Sequence, residues 1–91
     1  MKIIFADEFS RQFGKLPADI QRLYRTQEAR FREDWRDSRL HIKKLREQPY
    51  PFSFRITRNY RVLFAFVEPE TVLFATIGNR RDVYKTRKRG R

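Results

Sequence analysis

The sequence predicts an α+β domain in the order β-α-α-β-β-β, with an antiparallel sheet and two N-terminal helices packed on one of its faces. Two observations carry this. Between Phe9 and Trp35 the apolar residues recur at helical spacing, whereas from Phe52 onward they alternate with a period of two, the spacing of a strand. A helical block followed by a run of hairpin-linked strands folds as helices laid on a sheet.

The first strand is read at residues 2–6, a short β-branched and apolar run. Asp7 is placed to cap the helix that follows, which carries Phe9, Phe13 and Leu16 on one side. Gly14 weakens that helix, and Pro17 implies a break or a fresh start. A second amphipathic helix then presents Ile20, Leu23, Tyr24, Phe31 and Trp35 as a core stripe, which Gln27 interrupts. Residues 36–51 read as irregular and polar, anchored by Leu40, Ile42 and Leu45, and closed to helix at Pro49 and Pro51.

In the next strand Phe52, Phe54 and Ile56 share a face opposite Ser53, Arg55 and Thr57. Residues 60–67 form a strand apolar on both faces of its middle, which places it centrally in the sheet. Glu68, Pro69 and Glu70 turn the chain into a last strand at residues 71–77, ended by Gly78 and Asn79. The glycine is expected to let the backbone turn sharply there.

The chain has 91 residues, enough for one domain, residues 1–91, with residues 85–91 as a basic C-terminal tail. Nine Phe, four Tyr and one Trp supply a core without disulfides. There is no cysteine and only one histidine, which excludes thiolate and histidine-rich metal sites. No metal and no cofactor are expected. Neither a signal peptide nor a run of ~20 apolar residues is present, so a soluble, cytoplasmic protein with no membrane partner is expected.

The net charge is +11. It is lopsided: residues 1–37 hold 8 basic and 7 acidic side chains, residues 38–91 hold 14 and 4. Charge gathered in one half points to a polyanion, nucleic acid first and an acidic protein second.

Register sharpens this reading. A three-residue turn at Thr57, Arg58 and Asn59 places Ile56 opposite Tyr60, Phe54 opposite Val62 and Phe52 opposite Phe64, so every apolar partner matches. The same register sets Arg55 directly against Arg61, where like charges destabilise a sheet. Either the two guanidiniums splay apart in solvent, or they hold an anion, which their planar forks suit. Arg80 and Arg81 follow the last strand. Tyr84 beyond them is either a core aromatic or a platform for an RNA base. Lys43 and Lys44, with Arg58, Arg81 and Lys85, read as contacts to RNA phosphates. His41, alone in a loop, is read as no catalyst.

The stretches His41-Ile42-Lys43-Lys44-Leu45-Arg46, Phe54-Arg55-Ile56, Asn59-Tyr60-Arg61-Val62-Leu63-Phe64 and Ile77-Gly78-Asn79-Arg80-Arg81-Asp82-Val83-Tyr84 resemble the RelE/ParE toxin superfamily over roughly residues 41–85. The resemblance implies a RelE-like fold and a toxin of a toxin–antitoxin pair. Such a toxin enters the ribosomal A site and cleaves mRNA by attack of the 2′-OH on the adjacent phosphate. It also implies an acidic cognate antitoxin, with mRNA and the ribosome as the other partners. By position, Arg61 matches the arginine that grips the scissile phosphate and Arg80 the arginine that serves the leaving group. Tyr84 matches the tyrosine that positions the substrate, and Arg55 falls near a family lysine. Two other readings stand beside it: a ParE-like, non-catalytic inhibitor of DNA gyrase, and a basic RNA-binding module without activity.

Overall fold

In the computed structural model, which describes residues 1–46 and 50–85, strand β1 (Lys2–Phe5) leads into helices α1 (Asp7–Gly14) and α2 (Ala18–Glu33). A short 3-10 turn (Ser38–Leu40) and a two-residue strand β2 (Lys43–Lys44) follow. Strands β3 (Phe52–Arg55), β4 (Tyr60–Glu68) and β5 (Thr71–Asn79) form a meander, and helix α3 (Arg80–Lys85) ends the described chain. The strands lie in the order β1-β5-β4-β3-β2.

The α+β class and its element order are as the sequence predicts, with three additions. The sheet is mixed, because β1 runs parallel to β5, Ile3 pairing with Val72 and Phe5 with Phe74. Lys43 and Lys44, read as irregular, pair with Ser53 and Phe52 as an edge strand, held by a bond from the Leu45 amide to the Pro51 carbonyl (2.7 Å). The residues after β5 form a helix rather than projecting as a loop. Among the described residues no helix is long and apolar enough to cross a membrane. Pro49 lies outside the described residues.

Helix α1 begins after Ala6, which sits in the capping position without a side-chain bond. Asp7 is therefore the first helical residue rather than the cap, and with Glu8 it complements the positive end of the helix dipole. Pro17 stands at the corresponding place before α2, where its missing N–H costs nothing. The Leu16-Pro17 junction separates the two helices, as the proline implies.

Both helices are held by aromatic packing. Phe31 of α2 meets Phe54, Phe64 and Phe74 at ring-centroid distances of 5.5, 5.2 and 5.1 Å. Phe74 also meets Phe5 and Phe9, so one ring on β5 joins β1, α1 and α2. Edge-to-face pairs of this kind contribute about 0.5–1.5 kcal/mol beyond area burial. Trp35 lies past the end of α2 but closes the far corner against Phe66 (5.0 Å) and Phe52 (6.4 Å). Leu23, expected in the stripe, is 42% exposed because the helix turns it outward.

Two glutamines do work that hydrophobic periodicity cannot show. Gln27 is buried, and its Nε2 donates to the carbonyls of Arg39 (3.0 Å) and Arg55 (2.6 Å). It therefore ties α2 to the 3-10 turn and to the end of β3. Gln12 of α1 accepts from the Thr76 hydroxyl (2.6 Å) and the Ile77 amide (3.1 Å) with its Oε1. It satisfies the edge of β5 beyond the point where β1 ends.

Phe31→Ala is expected to cost about 3–5 kcal/mol, because it opens a cavity where three rings converge. That is a large share of the ~5–15 kcal/mol a small domain has. Urea unfolding should show a lower midpoint for Phe31→Ala, while Leu23→Ala on the exposed side of the same helix should stay within about 0.5 kcal/mol of the parent. Equal losses would refute this account of how α2 docks.

Candidate active site

The β3–β4 register is Phe52↔Phe64, Ser53↔Leu63, Phe54↔Val62 and Arg55↔Arg61. The three-residue turn closes through a bond from the Ile56 amide to the Tyr60 carbonyl (2.8 Å). Beyond β4, Arg61 stands opposite Gly78 of β5. Arg55, Arg61 and Gly78 thus form one row across three strands, on the face opposite the Phe54–Val62–Ile77 row that packs into the core.

Arg61 is the unusual member, only 8% exposed. Its described hydrogen bond runs from Nη2 to the Arg58 carbonyl (3.3 Å). Burial pushes the guanidinium below the usual arginine value. The Tyr84 phenol opposes that shift, and the charges of Arg55 and Arg80 add to it. Arg55, Arg80 and Tyr84 thus each lie within electrostatic reach of Arg61. The Nε of Arg55 is buried and has no hydrogen-bond partner. A buried donor without an acceptor is costly.

The segment after β5 positions the other side chains. Gly78 adopts no positive φ, contrary to the sharp turn expected of it. A Cβ built there would meet Val83 Cγ1 at 3.4 Å, an ordinary van der Waals contact, so α3 folds back close over the row. Val83 is buried as the inward anchor of α3. Asn79 accepts from the Arg81 amide (2.9 Å) through Oδ1, which caps α3. The Arg80 amide donates to the Asn59 carbonyl (2.6 Å) and fixes the start of α3 to the β3–β4 turn. Asn59, Asn79, Arg80, Arg81 and the half-buried Tyr84 line an open recess of about 630 Å³.

The candidate phosphate contacts are divided. Arg58 and Arg81 are exposed at the rim of this end of the sheet. Lys43 pairs with Ser53 and so shares the face of Arg55, whereas Lys44 pairs with Phe52 and lies on the other face. Lys85 is the last residue of α3, and residues 86–91 of the basic tail lie outside the described residues. Among the described residues no three of His, Cys, Asp and Glu are grouped as metal ligands.

No protein-family model matches the chain, and no curated protein is similar enough in sequence to count as a relative. Solved structures do match. The toxin in the RelB–RelE antitoxin–toxin complex of Methanococcus jannaschii is 22% identical, with a TM-score of 0.71 over 89% of this chain and 94% of that one. In the intact E. coli RelBE toxin–antitoxin complex the figures are 16%, 0.66, 86% and 94%. In the RelBE2 complex of Mycobacterium tuberculosis they are 25%, 0.59, 87% and 96%. The chain has the RelE-like toxin fold. The resemblance to the RelE/ParE superfamily read from the sequence holds at the level of architecture.

Like charges opposed across strands cost about 0.2–1 kcal/mol, and burial adds to the cost at Arg61. Arg61→Met should therefore raise the melting temperature at low salt, by up to about 4–8 °C if ~1 kcal/mol is recovered. Calorimetry measures this directly. A lower melting temperature would mean that the guanidinium is structural.

Proposed function

We propose that this protein is the toxin of a toxin–antitoxin pair, a metal-independent endoribonuclease that cleaves mRNA on the ribosome. The observation that carries the reading is the row formed by Arg55 and the buried Arg61, with Arg80 and Tyr84 beside it. Guanidiniums held together against their own repulsion suit a phosphodiester whose charge grows as it reacts.

The ribose 2′-oxygen attacks the adjacent phosphorus and gives up its proton to solvent, while the bond to the 5′-oxygen breaks and that oxygen takes up a proton. One product ends in a 2′,3′-cyclic phosphate, the other in a 5′-hydroxyl. The nucleophile belongs to the substrate, so no water has to be activated. Arg61 and Arg55 stabilise the negative charge on the phosphoryl oxygens. Arg80 stabilises or protonates the leaving oxygen, and Tyr84 orients the substrate in the recess. Lys43, Lys44, Arg58, Arg81 and Lys85 bind flanking phosphates. Little acid–base chemistry is asked of the protein, so the rate rests on positioning. Free RNA is then a poorer substrate than mRNA held in a ribosome.

The solved relatives are toxins in complex with antitoxins. The corresponding partner here is an acidic antitoxin, matched to a surface of net charge +11.

Arg61→Ala should reduce cleavage on programmed ribosomes about 10²–10³-fold, the usual loss of ~3–4 kcal/mol for one oxyanion donor. Expression of the parent should halt translation, with mRNA cut at discrete codons. An Arg61→Ala variant that stays fully toxic would sink the proposed site. Intact mRNA with DNA damage and filamentation would identify a gyrase inhibitor instead.

A further inference from the structure

A second recess lies on the outer side of β3, between α2 and the 3-10 turn, with a volume of about 280 Å³. Arg30, Arg39, His41 and Arg55 surround it, and Leu23 and Ile56 give it an apolar floor. We infer that this recess binds a second phosphate of the RNA strand, one removed from the reacting phosphate, with the neighbouring sugar against Leu23 and Ile56. The inference rests on the nuclease reading for the identity of the polyanion, not for the existence of an anion site.

The donors are already oriented. Arg30 spends one N–H on Gln27 Oε1 (2.8 Å), which leaves most of its fork free. Arg39 is held by two bonds to the Asp37 carboxylate, through Nε (3.0 Å) and Nη2 (2.8 Å). The guanidinium keeps that carboxyl well below the usual carboxylate range. Asp37 neutralises one charge, so Arg30 and Arg55 supply the net attraction while Arg39 contributes fixed N–H groups. Arg55 belongs to both places, opposing Arg61 across the strands and lining this recess. It is the physical junction through which one strand of RNA would run from site to site.

His41 adds an independent observation. It is the positive-φ non-glycine residue among the described residues, at φ 51°, and it ends the 3-10 turn. The left-handed conformation costs about 1–2 kcal/mol for a residue with a Cβ, and glycine would avoid it. The conformation ends the 3-10 turn, as αL residues commonly do at helix stops, and leaves His41 lining the recess.

RNA is favoured over an acidic peptide by the continuity with the Arg61 row and by the apolar floor, which suits a sugar or base. The probe is a short 2′-O-methyl RNA oligonucleotide, which the proposed 2′-OH chemistry cannot cleave. Its addition should shift the ring signals of His41, the chain's single histidine, in the NMR spectrum. Arg30→Ala/Arg39→Ala should abolish that shift and lower the slope of log K against log salt by about 0.7, the value for one single-strand phosphate. Arg30 also holds Gln27, so Arg39→Gln is carried alone as a milder variant and should weaken binding in the same direction. His41→Gly should raise the melting temperature and weaken binding together.

An unchanged salt slope in the variants, with His41 unmoved by RNA, would overturn the recess. So would an oligoglutamate peptide that perturbs His41 at lower concentration than RNA, since it would mark an acidic-protein surface. The two proposals fail separately. Loss of cleavage in Arg61→Ala with a normal slope in Arg30→Ala/Arg39→Ala removes the recess alone. Undiminished cleavage in Arg61→Ala with a reduced slope removes the proposed catalytic site and leaves the recess as a nucleic-acid site.

Discussion

Phe52 against Phe64 and Phe54 against Val62 leave β3 a single workable register on β4. A slip of one residue would send both phenylalanines to the wrong side of the sheet, breaking the contacts of Phe54 with Phe31 and Phe74 and of Phe52 with Trp35 and Phe66. The same register forces Arg55 and Arg61 to face each other. The repulsion is thus imposed by the core beneath it. Aromatic packing worth several kcal/mol overrides a like-charge penalty of about 0.2–1 kcal/mol. The rest of the site is arranged around that pair: Gly78 continues the row, and Val83 of α3 lies against it.

A guanidinium held at low exposure among other guanidiniums is poor design for stability and good design for an anion that gains charge as it reacts. In the proposed reaction such fixed donors would stabilise the growing charge without first being assembled. A single backbone bond from the Arg80 amide to the Asn59 carbonyl ties the start of α3 to the β3–β4 turn.

Alternation made the meander readable. Phe52, Phe54, Val62 and Phe64 announce both the strands and their pairing, and with them the Arg55–Arg61 contact. Other features left no such trace. The run at Lys2–Phe5 reads as a strand, but nothing in four edge residues says that it pairs parallel to β5. Gln27 looked like an interruption of an apolar stripe because periodicity counts hydrophobicity and not hydrogen bonds; its partners are backbone carbonyls 12 and 28 residues away. Gly78 looked like a turn glycine, yet β5 runs on through it to Asn79 with no positive φ. Nothing in the sequence pattern sets Arg30 and Arg39 apart, and only tertiary folding brings them beside His41 and Arg55.

The most direct measurement is a crystal structure with a 2′-O-methyl dinucleotide, which supplies one uncleavable phosphodiester. Its phosphate should lie between Arg55 and Arg61, with nitrogens of both guanidiniums about 2.7–2.9 Å from its oxygens and Arg80 near the 5′-oxygen. A phosphate bound elsewhere, with Arg55 and Arg61 turned apart into solvent, would contradict the claim that the opposed pair exists to hold it.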